Sequence, residues 1–274
     1  MKTIPYLLVA SILLTPSSPL WSQSDTVTPP RALFTKDDAL LAGVFTIGAL
    51  LARPLDKTIA VHLQNPRAQE NPFLRKSSHI VETIAVPGAF FIGGGLYLAG
   101  RASKQHKLAD LGLHGTEALV IGEALGGVLK GVFGRGRPYL NPKDPNPNDW
   151  RILRGFGGDD AYRSFPSGHT VAAFAAGAAV TAEMSRWRPE SRWLVGSVMY
   201  GGAGLVGLSR MYNQRHWASD VIIGAAIGTF AGNKVVRYHH SHPGNRLDEW
   251  LVNFSISPEA GLHSLQTSVM PRIH

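Results

Sequence analysis

An all-α fold, a compact bundle of about six helices with a catalytic site at one end, is what this 274-residue sequence predicts. Three observations carry that expectation. Six segments rich in Gly, Ala, Leu, Val and Ile run to fourteen residues or more, longer than ordinary strands. None of them alternates apolar and polar residues with period two. Polar breaks containing Pro or Gly separate one from the next.

The elements follow in order. Residues 1–24 open with Lys2 and an apolar run over 4–14, then Ser, Pro and the small residues Ser22 and Ser24. This is the layout of a secretory signal peptide cleaved after Ser22 or Ser24. Pro16 and Pro19 cut the apolar run well short of a bilayer span. Helices are predicted over 39–52, 80–100 and 108–130. Residues 139–165 are irregular, rich in Pro, Asn, Asp and Gly, and a loop this long inside a compact domain is expected to cover or rim the site. Its Arg151, Arg154 and Arg163 read first as solvated charges and second as a lure for an anionic substrate. Three further helices are predicted over 170–184, 193–208 and 221–236. Closely spaced glycines such as Gly122, Gly126 and Gly127 let neighbouring helices approach, at a cost in helix propensity that packing must offset. Residues 25–242 thus read as one domain with its motif core over 108–236, and 243–274 as a tail holding a short hairpin.

Charge and cysteine content exclude several functions. Lys plus Arg number 27 against 19 Asp plus Glu, a balance that suits nucleic acid, an anionic membrane surface or a phosphorylated substrate. The cations form neither runs nor an aromatic-interleaved stripe, so nucleic acid is not an expected partner. With no cysteine at all, there is neither a disulfide framework nor a thiolate metal site.

Three stretches carry the chemistry: Lys130 through Arg137 and Pro138, Pro166-Ser167-Gly168-His169, and Ser209-Arg210 through His216 to Asp220. If consecutive helices run antiparallel, the end of the third, the start of the fourth, the end of the fifth and the start of the sixth meet at one end of the bundle. A phosphoryl group in transfer spreads negative charge over three oxygens, so it needs fixed cations and N–H donors. Lys130, Arg137 and Arg210 supply the cations, the arginines as planar forks and the lysine as a point charge. Ser167 and Gly168 open a helix whose first N–H groups lack intrahelical partners, which makes a phosphate nest. His216 and Asp220 share a helix face at i, i+4, so the carboxylate is expected to hold one ring nitrogen while the other attacks phosphorus. His169 suits the general acid that protonates the departing alkoxide and then activates water. The expected route is a phosphohistidine double displacement that needs no metal and no cofactor.

These residues resemble the signature of the type 2 phosphatidic acid phosphatase superfamily, with every key position present: Lys130, Arg137, Pro138, Pro166, Ser167, Gly168, His169, Ser209, Arg210, His216 and Asp220. The resemblance covers the third to the sixth helix and implies an all-helical core with the same histidine roles. It implies a phosphatase acting on a phosphate monoester: a lipid phosphate, an isoprenoid diphosphate or a soluble organic phosphate. Vanadate-dependent halide oxidation occurs in the same superfamily, generally in larger chains, and a non-catalytic phosphate- or lipid-binding protein would have lost a histidine that this chain keeps. Vanadate would be a cofactor only under the haloperoxidase alternative.

Other groups read as structural. Glu117 and Glu123 do not share a helix face and are expected in buried contacts between helices. His239, His240 and His242 read as solvated residues near a helix C-terminus, with a metal site as the alternative. Arg135 belongs to the site or its rim. Mean hydropathy is −0.01 and most apolar runs are short, so a soluble or peripheral protein of the periplasm or cell envelope is slightly favoured over an integral one. If the other helices cross a membrane, the first, broken by Arg53-Pro54, is expected to lie on its surface. The oligomeric state is left open.

Overall fold

The computed structural model describes residues 34–242, in which the regular elements are helices, with no strand among the described residues. The expected signal segment 1–24 and tail hairpin 243–274 lie outside the described residues. Among the described residues nine α-helices follow in order: α1 (Lys36–Ala52), α2 (Asp56–Leu63), α3 (Pro66–Gln69), α4 (Pro72–Thr83), α5 (Ala89–Ala102), α6 (His106–Phe133), α7 (Gly168–Trp187), α8 (Arg192–Tyr212) and α9 (Ala218–Ser241).

All six predicted helices are present, and residues 56–83 add helices that apolar patterning did not reveal. α4 is a mostly polar helix, PFLRKSSHIVET, so a search for apolar segments passes over it. The predicted segment 80–100 in fact straddles α4 and α5, joined by a π-helical turn over Ile84–Gly88 that contains Pro87. α1 ends before Arg53-Pro54, at the predicted residue 52, but the backbone does not leave the helical run there. Pro54 sits at the start of a 3₁₀ turn, where a missing N–H costs nothing, and the run continues into α2.

The core consists of small residues: Ala118 and Leu119 of α6, Ala172, Ala175 and Ala179 of α7, and Val235 and Val236 of α9. α7 is central and packs on α6, α8 and α9. Gly228 of α9 lies against the Val171 carbonyl of α7, so any side chain at 228 would force these two helices apart.

Side-chain pairs fix the direction of each helix. Asp38 at the start of α1 pairs with Lys234 near the end of α9, and Gly48 lies against Ile222 near its start. α1 therefore runs antiparallel along α9. Gly100 of α5 packs beside Ala109 of α6, and Gly93 beside Thr116, so these two are also antiparallel. α2, α3 and α4 form a layer across one end: Asp56 accepts from the Ser219 N–H at 2.9 Å, the Tyr212 hydroxyl donates to the Ala68 carbonyl at 2.9 Å, and the Ser78 hydroxyl donates to Asn213 at 3.1 Å.

Large apolar side chains point outward from several helices, among them Leu51 and Ile47 on α1, Phe91 (81% exposed) on α5, Val128 on α6, and Trp193 (80% exposed) and Val198 on α8. Two helical runs, Lys36–Leu63 and Pro72–Ala102, are long and apolar enough to cross a membrane by length and composition. The slight preference for a soluble or peripheral protein is not supported by such a surface, because a water-soluble bundle turns residues like these inward.

Candidate active site

α6 ends at Gly134, which takes a left-handed φ of 51° while its N–H donates to the Lys130 carbonyl at 3.2 Å. A side chain at this position would also run into the Arg151 carbonyl. The turn sends residues 135–137 across the end of the bundle that the α2–α4 layer covers.

Residues 134–167, which contain the stretch 139–165 expected as one irregular loop, are held by three short 3₁₀ turns, a β-bridge between Arg135 and Trp150, and edge-to-face contacts among Phe133, Trp150 and Phe165. Arg151 pairs with Asp149, Arg154 pairs with Asp159, and Arg163 donates to the Gly155 carbonyl. These three arginines brace the loop.

His216 occupies the turn between α8 and α9 and is only 3% exposed. Its Nδ1 lies 2.6 Å from the Ser164 carbonyl oxygen. A carbonyl can only accept, so the ring proton sits on Nδ1 and Nε2 keeps its lone pair. Burial, followed by the positive charges of Lys130, Arg137 and Arg210, pushes the His216 pKa well below its usual value, against the opposing effect of the Ser164 bond. The imidazole is therefore neutral and polarised for nucleophilic work.

Asp220 does not hold the ring as expected. Its Oδ2 is 4.0 Å from His216 Nδ1, the carbonyl having taken that position. Instead Oδ2 accepts from the Ser164 hydroxyl at 2.6 Å and from the Trp217 N–H at 3.0 Å, while Oδ1 pairs with Arg135 at 2.5 Å. By fixing Ser164 and the first turn of α9, Asp220 positions the histidine from both sides without touching it.

Arg135 is neither ligand nor rim. It is 1% exposed, bonded to Asp56 at 2.8 Å, Asp220 at 2.5 Å, the Ser219 hydroxyl at 2.8 Å and the Pro147 carbonyl, and it stacks near Trp150 and Trp217. A buried guanidinium between two carboxylates ties α2, the 134–167 segment and α9 together.

The remaining predicted residues surround the same space. Lys130 Nζ donates to the Pro166 carbonyl. Arg137 is braced by the carbonyl and carboxylate of Asp160 at 2.8 and 2.7 Å. Arg210, 3% exposed, forms an ion pair with Glu82 through Nη1, while its Nε, a buried donor, hydrogen-bonds to nothing among the described residues. A buried donor left unpaired beside other cations is suited to an oxyanion. His169, in the first turn of α7, lies within electrostatic reach of Arg210, Glu82, Lys130 and Arg137.

Ser167, at the start of α7, keeps its hydroxyl proton for the expected donor role. Its hydroxyl accepts from Thr170 at 2.8 Å and its N–H donates to the Asp220 carbonyl at 3.1 Å. The first N–H groups of α7, at Gly168 and His169, have no acceptor within the helix. Glu123 packs against Gly168 beside Lys130, with Oε1 unpaired, whereas Glu117 makes the expected interhelical contact, to His239 at 2.5 Å.

Asp56, Glu82, Asp160 and Ser164 were not singled out in the sequence. No spacing marks them, because each is chosen by a partner far away in the chain.

Residues 113–242 match the family model of the PAP2 superfamily. This stretch belongs to that superfamily. The PAP2 stretch contains all three motifs, while Asp56 and Glu82 lie before it. Curated relatives include the lipid A 1-phosphatase of Porphyromonas gingivalis, 45% identical over 73 residues, covering 26% of this chain and 15% of that protein. The undecaprenyl-diphosphatase of Sulfolobus acidocaldarius is 27% identical over 139 residues, covering 49% of this chain and 58% of that protein. The chain thus spans less than two thirds of the length of either relative. Among solved structures, the transmembrane PAP2 type phosphatidylglycerolphosphate phosphatase from Bacillus subtilis superposes with a TM-score of 0.52 at 21% identity, covering 77% of this chain and 99% of that one. That likeness establishes the helical fold.

Proposed function

We propose that this chain is a membrane-embedded phosphoric-ester hydrolase that removes a phosphate from a lipid or isoprenoid phosphate through a phosphohistidine at His216. The observation that carries the reading is the buried, neutral His216, whose Nδ1–H is committed to Ser164 among Lys130, Arg137 and Arg210.

The steps follow from these groups. Nε2 of His216 attacks phosphorus, a P–N bond forms, and the P–O bond to the leaving alkoxide breaks. His169 gives that oxygen a proton. Lys130, Arg137, Arg210 and the free N–H groups of Gly168 and His169 hold the three equatorial oxygens as charge builds on them. Water, deprotonated by His169, then attacks phosphorus, the P–N bond breaks, and phosphate leaves with His216 restored. Three fixed cations supply the charge stabilisation for which other phosphatases recruit metal ions, so the route needs no metal.

A lipid substrate is supported by the apolar outer faces of α1, α5, α6 and α8 and by the lipid phosphates and diphosphates named for the relatives. A polar cavity of about 350 Å³ beside the site, lined by Arg75, Ser78, Glu82, Asn213 and Arg215 among others, offers room for a head group. Residence in the cell envelope belongs to the same proposal.

The deciding experiment compares phosphatidate, a prenyl diphosphate, lipid A and a soluble aryl phosphate as substrates of the detergent-solubilised protein. A lipid substrate is expected to be preferred, and His216→Ala is expected to abolish its turnover. Unchanged hydrolysis by the variant would overturn the mechanism, and preference for the soluble ester would overturn the substrate class.

A further inference from the structure

At the end of the bundle opposite His216, three ligand-bearing side chains converge from three helices. His114 of α6, Glu183 of α7 and His240 of α9 each bring one ligand atom within 4.8 Å of the others. Nδ1 of His114 is 2.5 Å from Glu183 Oε1, and Nε2 of His240 is 2.9 Å from that oxygen and 3.0 Å from Oε2. Glu183 is fully buried and His114 nearly so, whereas His240 stands at the rim. Asp110 sits one turn before His114 on the same face of α6 and within electrostatic reach of His114, Glu183 and His240. A second layer backs the first. The His239 ring stacks on His114 at 4.2 Å, and its Nε2 is 2.5 Å from Glu117.

The expectation of a solvated residue does not hold for His239, which is buried, whereas His240 is exposed as expected but also bonded to Glu183. Their carboxylate partners come from α6 and α7, distant in sequence, which is why the histidine cluster alone could not reveal them.

We propose that His114, Glu183 and His240, with Asp110 as fourth ligand, form a binding site for a divalent transition metal of zinc-like character. A buried carboxylate needs compensating positive charge, and a metal ion seated between Glu183 and the two imidazoles held against it would supply that charge. Two imidazole nitrogens and carboxylate oxygens are a donor set that suits zinc and its neighbours over calcium or magnesium. Distances of 2.5 to 3.0 Å between ligand atoms are those of hydrogen bonds, and a slight spreading makes room for an ion with bonds of about 2.0–2.2 Å.

The site is structural. His114 lies about 24 Å along α6 from Lys130, too far for the ion to touch a bound phosphate. It clamps the far ends of α6, α7 and α9, the same three helices whose opposite ends carry Lys130, His169 and Asp220. The inference is independent of the proposed phosphatase reaction.

The test uses untagged, detergent-solubilised full-length protein stripped with a chelator. Titration with Co²⁺ is expected to produce the visible absorption of four-coordinate cobalt, displaced by one equivalent of Zn²⁺, and Zn²⁺ is expected to raise the melting temperature. His240→Gln at the exposed rim and Glu183→Gln should lose the cobalt spectrum, while His62→Gln, on α2, should keep it. Stripped wild type should retain activity on a lipid phosphate within about twofold. Absence of a cobalt spectrum and of Zn²⁺ stabilisation in the wild type would overturn the proposal. So would equal binding by the His240→Gln and His62→Gln proteins.

Discussion

At the residue scale, a carbonyl oxygen does what a carboxylate was expected to do. The Ser164 oxygen sets the His216 tautomer, and Asp220 acts one bond further out through the Ser164 hydroxyl. The depressed pKa of His216 has two pH consequences. Because the unfolded chain binds a proton here near pH 6.5 and the folded chain does not, the group's contribution to stability is complete above about 6.5. It is lost as pH falls from there toward the depressed folded value. Deprotonation of the nucleophile should likewise place the acid limb of kcat/KM well below 6.5. Since Lys130 is one of the charges responsible, Lys130→Met is expected to raise the His216 pKa, read from its imidazole resonances in an NMR titration. No upward movement would show that the cations do not act on the ring. The motif residues were legible in sequence because phosphate chemistry demands particular side chains in a particular order. Ser164, Asp160 and Glu82 were illegible because any of several polar residues in the neighbourhood would fit the same spacing rules.

At the scale of elements, the apolar helices could be read from composition, whereas α2 and α4 could not. α4 buries little and carries polar residues on most of its length, so its place is fixed by tertiary partners: Ser78 on Asn213 and Glu82 on Arg210. α2 is held in a similar way through Asp56, which is 1% exposed and accepts from Arg135, the Ser219 N–H and the Ser219 hydroxyl. Asp56→Ala is expected to destabilise the protein by about 3–5 kcal/mol, since it strands part of a buried guanidinium and two donors on α9. Chemical denaturation of the detergent-solubilised variant measures this. A change under 1 kcal/mol would mean that α2 is not coupled to α9 through this residue.

For the whole molecule, the decisive surface is the outer one. Short apolar runs and a mean hydropathy near zero pointed slightly away from the membrane. Averaging hid the distribution, because glycine and alanine fill the interior while Leu, Ile, Val, Phe and Trp are turned outward. With no cysteine in the sequence, single-cysteine substitutions report topology without background. A membrane-impermeant maleimide applied to sealed vesicles is expected to label only one of Lys143→Cys, at the catalytic end, and Lys104→Cys, between α5 and α6. Labelling of both in sealed vesicles would contradict a spanning bundle.

The Arg135 hub bears on modularity. The family match begins at residue 113, yet Asp56, which shares the Arg135 charge with Asp220, and Glu82, which pairs with Arg210, stand well before it. A portable unit must accordingly reach back at least to Asp56: a fragment reduced to 113–242 should neither fold cooperatively in detergent nor turn over a lipid phosphate. Anyone transplanting the three motifs into another helical scaffold must carry along two acidic residues from helices that look dispensable.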